Sequence, residues 1–316
     1  MRKRLLVIAY LCCFVVVLFL GYRCIGIKKD LWFETEMFPI EMCQFCENIY
    51  YVGKIYENGK NTYALYKMEE YGNKIEKVTQ IEIDINSTIE KMASTNNNLY
   101  LIVKVDRDKR EIWEIDCSEK VTAIYDITQL LDVETSKIRA FCVDEEDVFY
   151  IREMNGSETI LYKSINGIVE SIPDSSEELS FESMSIGSDG SVYILFCRNL
   201  NIGGGYEIVE IRDEKSMIIH CGELLPYTDI YSVMGKGNEK YEVLIKGTSF
   251  VYGYDKEADK VQSMGILTLE KYQYTKSCFI DGKELMILGM NPQYEKEQRI
   301  NRIKFLRMKL VEGELK

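Results

Sequence analysis

Three features of the sequence predict an all-β domain behind one apolar N-terminal segment. A strand-like phrase, Tyr-centred in most copies, recurs at Asn48–Val52, Asn98–Ile102, Asp147–Ile151, Ser191–Leu195, Lys240–Leu244 and Glu284–Leu288. Tight-turn residues stand before each copy, most clearly Asp189-Gly190 and Asp281-Gly282. Beyond the apolar segment, β-branched and aromatic residues alternate with polar ones at period two, and no stretch sustains a period of 3.6. A strand repeat spaced 44 to 50 residues apart predicts a β-propeller. Six copies predict six four-stranded blades.

Taken in chain order, residues 1–29 read as a basic start and a membrane anchor. Residues 5–22 are 18 uncharged, almost wholly apolar positions. As a helix they would span about 27 Å, close to a hydrocarbon core of about 30 Å. No Ala-x-Ala exit follows, and Arg23 rather than a small residue precedes Cys24. The segment therefore predicts an uncleaved signal anchor rather than a removed signal peptide. Arg2, Lys3 and Arg4 on one side and Arg23, Lys28 and Lys29 on the other give a lean towards an extracytoplasmic domain at residues 30–316.

Within that domain each repeat reads as an inner strand, a tight turn, the phrase strand, a loop, a third strand and an outer strand. Third strands are predicted at Tyr63–Tyr66, Ile112–Ile115, Ile160–Tyr162, Ile208–Ile211, Phe250–Tyr254 and Ile303–Leu306. Outer strands are predicted at Lys77-Val78, Lys120–Ile124, Ile168-Val169, Met217–Ile219 and Lys260-Val261. The sixth unit has no good outer strand after Leu310. An open sheet edge is a liability, so Leu31-Trp32-Phe33 is expected to supply the closing strand. A helical turn is expected within Thr128–Lys137. The recurring tyrosine is expected to pack between blades, which stack face to face.

The repeat resembles the six-bladed propeller superfamily that includes TolB-like and NHL-like modules, over residues 31–316. The Trp-Asp ending and the kelch double glycine of other propellers are absent. The resemblance implies a fold and brings no functional residue with it.

Charge bounds the partners. Residues 30–316 hold 33 of the 39 basic residues and all 51 acidic ones, a net charge of −18. That sign repels phosphate backbones, so no nucleic acid is expected. Ten irregularly spaced cysteines do not form a disulfide framework. Cys43-Gln44-Phe45-Cys46 lacks the second pair a zinc site needs, and predicts a local disulfide or two buried thiols. His220, the one histidine, falls at an outer strand and reads as structural; one imidazole cannot build a histidine metal site. Asp106-Arg107-Asp108 and Asp144–Asp147 lack calcium-loop spacing and read as solvated turns. No metal and no cofactor is expected.

Propellers carry function in loops. Asn201–Tyr206 is the one Gly-rich stretch and lies between second and third strands, on the end shared with the links between blades. On that loop face a ligand site is expected from Arg107, Arg198, Asn199, Tyr206, Tyr227, Asp229 and Tyr294. These observations predict a membrane-anchored, extracytoplasmic binding or scaffold module for an unknown protein, peptide or glycan. With no catalytic motif, the chain is expected not to be an enzyme; the alternative is a propeller hydrolase or lyase using axial carboxylates.

Overall fold

The computed structural model describes residues 32–315 apart from 36–37, 58–59, 69–74, 80, 129–135, 156–157, 166–167, 173–180, 198–204, 224–232, 248–249, 268–273, 296–297 and 312–313. The anchor at residues 5–22 lies outside the described residues, as does most of the helical turn expected at Thr128–Lys137. Among the described residues no helix is long and apolar enough to cross a membrane.

The described chain is all-β. Five antiparallel sheets are each built from four consecutive strands. The first holds β2 (Phe38–Phe45), β3 (Asn48–Glu57), β4 (Lys60–Met68) and β5 (Ile75–Lys77). The second holds β6 (Thr88–Ser94), β7 (Asn98–Lys104), β8 (Arg110–Asp116) and β9 (Val121–Asp126). The third holds β10 (Lys137–Val143), β11 (Phe149–Asn155), β12 (Glu158–Ile165) and β13 (Ile168–Ile172). The fourth holds β14 (Phe181–Ile186), β15 (Val192–Cys197), β16 (Gly205–Arg212) and β17 (Lys215–Glu223). The fifth holds β18 (Val233–Lys236), β19 (Val243–Lys246), β20 (Phe250–Asp255) and β21 (Lys260–Ile266).

The remaining sheet is composite. It contains β22 (Tyr274–Ile280), β23 (Glu284–Glu295) and β24 (Gln298–Val311), with β1 (Trp32–Thr35) next to β24 and β25 (Glu314–Leu315) also paired to it. The expectation of six like blades is corrected accordingly: five are self-contained four-strand units, and the last sheet is of another make. The reason is the one seen in sequence, that no long outer strand follows β24, so β24 takes its neighbours from an early strand and a two-residue return.

Each sheet is buried on both faces, and the core is divided among the gaps between sheets. Phe45, Val52, Leu65, Met92, Leu101 and Ile115 fill the gap between the first and second sheets. Tyr100, Ile112, Phe141 and Phe149 fill the next. Met42, Tyr51 and Met68 meet Cys278, Met286 and Leu288, joining the composite sheet to the first. The recurring tyrosines sit in these gaps, as expected of packing residues, and their hydroxyls reach acidic turns. Tyr50 donates to Glu119 (3.0 Å), Tyr100 to Asp147 (2.6 Å), Tyr150 to Asp144 (3.4 Å) and Tyr193 to Asp189 (2.8 Å). Burial above all raises each phenol's pKa, and the carboxylate beside it raises it further at Tyr50, Tyr100 and Tyr150. In the fifth sheet the equivalent Tyr241 lies just before β19 and covers Gly253, where a side chain would collide with its ring.

Two polar clasps reinforce the gaps. Arg110, fully buried, forms a fork with Glu90 (2.6 and 3.2 Å) and reaches Glu153 (3.2 Å) and the Ser136 hydroxyl (3.2 Å) on the third sheet's side. Such a pair is tolerated because its hydrogen bonds are filled on both sides. Second, a disulfide joins Cys46, in the β2–β3 turn, to Cys117, in the β8–β9 turn, with Cα atoms 6.0 Å apart. The expectation of a Cys43–Cys46 disulfide or two buried thiols is thereby corrected. The turn carries Cys46 outward to the next sheet (φ 45°), whereas Cys43 stays in the strand as a free thiol.

The disulfide closes a loop of 71 residues, for which chain entropy gives about 4 kcal/mol. Reduction, or the Cys46→Ser/Cys117→Ser variant, is expected to lower the urea-unfolding free energy by up to that amount, with dithiothreitol having no further effect on the variant. Arg110→Met strands the nearly buried Glu153 carboxylate. It is expected to cost about 3–5 kcal/mol in the same assay, part of it recovered by adding Glu153→Gln.

Candidate functional site: an axial cavity at the hairpin end

The inner strands β2, β6, β10, β14, β18 and β22 surround a cavity of about 820 Å³. Each runs in the same sense towards its own tight turn, so earlier residues line the depth and turn residues line the mouth. Met42, Met92, Phe141, Met184, Met234 and Cys278 form one soft, largely apolar layer, one residue from each sheet. Cys43, Cys142, Ser185, Ser277 and Phe279 complete the walls. Glu47, Asn96, Glu145, Lys236 and Asp281 stand at the mouth and are exposed.

The polar groups fall into two kinds. Some brace the walls: Ser94 Oγ donates to the Gln44 carbonyl (2.5 Å), and Gln44 Oε1 accepts the Asp281 backbone N–H (3.0 Å), stitching the first sheet to the composite one. Others face solvent at the mouth. Glu145 accepts from Asn96 Nδ2 (3.1 Å) and pairs with Lys236 Nζ (3.6 Å), so third and fifth sheets are linked across the fourth. Ser277 is different: it lines the cavity, is buried, and its hydroxyl has no hydrogen-bond partner among the described residues. Such a group carries an unmet desolvation cost until something binds it.

Three thiols line the cavity. Burial pushes the Cys43 thiol up to about 12 from 9.0, against a lowering by the Ser94 hydroxyl, and burial raises Cys142 and Cys278 as well. They are therefore protonated near neutrality, which makes them poor nucleophiles and poor metal ligands. Among the described residues no group of three or more His, Cys, Asp and Glu is placed to hold a metal ion.

Of the seven residues expected on the loop face, three lie among the described residues. Arg107 sits on the exposed β7–β8 turn, where Asp106 Oδ1 accepts the Asp108 N–H (2.9 Å). Tyr206 is buried in β16 and its hydroxyl meets His220 Nε2 (3.2 Å). Tyr294 lies in β23, opposite Arg299. Arg198, Asn199, Tyr227 and Asp229 lie outside the described residues. Of the three described ones, Arg107, Tyr206 and Tyr294, none lines the axial cavity. His220 Nδ1 also meets Asp259 Oδ1 (2.6 Å), so the one imidazole bridges the fourth and fifth sheets rather than facing the axis. The hairpin-end site was signalled in sequence by a column of large soft residues standing four places before the turns: Met42, Met92, Phe141, Met184 and Met234.

No family model and no curated protein matches the chain in sequence. Solved structures match its fold. A luciferin-regenerating enzyme aligns with 88% of this chain and 94% of its own at TM-score 0.56 and 8% identity. Regucalcin, a calcium-binding protein from Agrobacterium tumefaciens, aligns with 89% and 94% at TM-score 0.54 and 10% identity. YCF48 bound to D1 peptide aligns with 86% and 94% at TM-score 0.50 and 12% identity. At such identities the likeness shows the β-propeller fold and nothing finer. It does overturn the expectation that the chain is not an enzyme. An enzyme has this fold over nearly the whole length, so a single histidine and a missing motif do not set the chain apart from enzymes.

The thiol pKa values lie above the unfolded 9.0, so the stability they contribute is fully present below pH 9 and is lost as pH rises towards 12. At pH 8, iodoacetamide is expected to alkylate exposed Cys221 in the native protein while sparing Cys43, Cys142 and Cys278, all three becoming reactive in urea; peptide mass mapping reads the outcome.

Proposed function

We propose that this chain is a ligand-binding propeller, held at a membrane by residues 5–22 with the propeller on the extracytoplasmic side, and that its guest occupies the axial cavity. The cavity carries this reading. Its volume falls in the range of about 300–1,000 Å³ typical of ligand sites, and its lining offers polar groups beside a methionine-rich apolar layer. The Cys46–Cys117 disulfide supports the extracytoplasmic placement, since disulfides persist in oxidising compartments. Methionine, cysteine and phenylalanine beside polar lining groups suit a peptide side chain or compact organic guest that carries both kinds of surface. One protein of like fold is bound to a peptide, which supports a peptide as the guest.

A broad docking face is less well supported. The exposed apolar residues Ile124, Ile168 and Met217 lie on outer strands of three different sheets, the scattered pattern ordinary for a soluble surface. A second reading, hydrolysis or elimination of the guest, draws on Glu47, Glu145 and Asp281 at one mouth, the residue type that general acid–base chemistry needs.

The test is a thermal-shift screen of small organic molecules and short peptides on the purified full-length chain, beside Ser185→Phe, which fills the cavity from a half-buried position. Compounds at 100 times their Kd are expected to stabilise the parent by about 2.7 kcal/mol and the variant far less, with the mixtures assayed for turnover by mass spectrometry. Equal stabilisation of both proteins would place the site elsewhere and sink the proposal; product formation abolished by Glu145→Gln would favour the second reading.

A further inference from the structure

We infer that the guest of the axial cavity is an organic cation with an apolar body, carried on a small molecule or on a basic residue beside a large apolar side chain of a peptide. This rests on the cavity being the binding site, and three observations carry it beyond that. The first is the order of chemistry along the axis. Met42, Met92, Met184 and Met234 make the walls soft and adaptable, suited to an apolar body of irregular shape. Among the described lining residues, the charged side chains stand at the mouth.

The second is the balance of that charge. Among the described lining residues, Glu47, Glu145 and Asp281 face one cation, Lys236, at the mouth. The side chains of Glu47 and Asp281 form no ion pair or side-chain hydrogen bond among the described residues, and Lys236 meets Glu145 at only 3.6 Å with both groups about half exposed. A pair so wet and so long is held weakly, so an incoming ammonium or guanidinium can take the carboxylate without having to break a strong contact. An anion would instead enter against two uncompensated charges at the mouth and a domain net charge of −18.

The third is Ser277. Ser277 belongs to the cavity wall, and its buried hydroxyl has no hydrogen-bond partner among the described residues. A guest that carries a polar atom at its far end satisfies that hydroxyl, which can donate or accept. The cavity thus fits a guest that is cationic at the mouth, apolar through the methionine layer and capped by one hydrogen-bonding atom at depth.

Titration calorimetry on the full-length chain can separate these terms with tryptamine, tryptophol and indole-3-acetate, which share an indole body and differ in head charge. Tryptamine is expected to bind at least about tenfold more tightly than indole-3-acetate, with tryptophol between them. Glu47→Gln/Glu145→Gln/Asp281→Asn, all at exposed positions, is expected to bring tryptamine to within about twofold of tryptophol. A second arm compares acetyl-Gly-Trp-Lys-Gly-amide with its Glu counterpart. Preference for the Lys peptide over tryptamine identifies a peptide source, and the reverse a small molecule. Equal or tighter binding of indole-3-acetate or tryptophol overturns the cation, while loss of all binding in Ser185→Phe still upholds the cavity. If no probe binds although the wider screen yields guests of other chemistry in the cavity, the cation falls alone. If the screen is blank too, both readings fall.

Discussion

Closure of the ring is the constraint on which the rest depends. Each sheet is apolar on both faces, so each must find a neighbour on both sides, and this includes the first and last. The gap between the β2–β5 sheet and the composite sheet is filled by Met42, Tyr51 and Met68 against Cys278, Met286 and Leu288, and stitched at the axis by Gln44 and Asp281. The gap before it joins Leu244 and Val251 to Leu285 and Ile287. Without these two contacts, two large apolar faces would meet water. At about 25 cal/mol per Å², no surface clasp could offset that exposure. The axial cavity follows from the same constraint: inner strands held apart by their own side chains cannot meet at the centre.

Covalent and ionic clasps act on top of this packing and at different ends. Cys46–Cys117 ties the turn ends of two sheets, and Lys67 and Tyr50 add Glu119 contacts beside it. Arg110, Glu90 and Glu153 lie near the opposite ends of their strands, where β8 begins and β11 is about to end. The gap between second and third sheets therefore has an ionic fastening, and that between first and second a covalent one. Among the described residues at the cavity mouth, the Asn96–Glu145 hydrogen bond joins neighbouring sheets and the weak Glu145–Lys236 pair spans third to fifth. The rigid fastenings lie between sheets, leaving the axis free for a guest.

Much of this architecture was legible in the sequence, because period-two alternation and Asp/Asn/Gly turns report local geometry directly. The propeller, the strand order within units and the packing role of the tyrosines follow from such local signals. The like-blade count did not survive, although the missing outer strand after Leu310 was legible and β1 (Trp32–Thr35), at the segment expected to close the sheet, does lie next to β24. The Cys46 partner was hidden: Cys117 is 71 residues away, and only the side-by-side placement of two turns brings them together. The site was sought on the loop end, where glycines advertise adaptability. Most of the residues expected there lie outside the described residues; the cavity opens at the turn end, and its marker, a spaced column of methionines, looks like core in any single repeat. Arg107 and Tyr206 illustrate the difficulty, one an exposed turn residue and the other a buried partner of His220.

The tyrosine hydroxyls bear on how the acidity of the chain should be understood. Glu119, Asp147, Asp144 and Asp189 each accept a phenol from the gap between sheets, so part of the negative charge that reads as a solubilising coat is scaffolding. A protein engineer lowering the charge of this chain for crystallisation or delivery could exchange Glu146 or Glu239 freely, both being exposed turn residues with no such duty. The four acceptors are a different inventory: their replacement by lysine would bury a phenol beside a group that cannot accept its proton, and the surface edit would be felt as a defect of the interior.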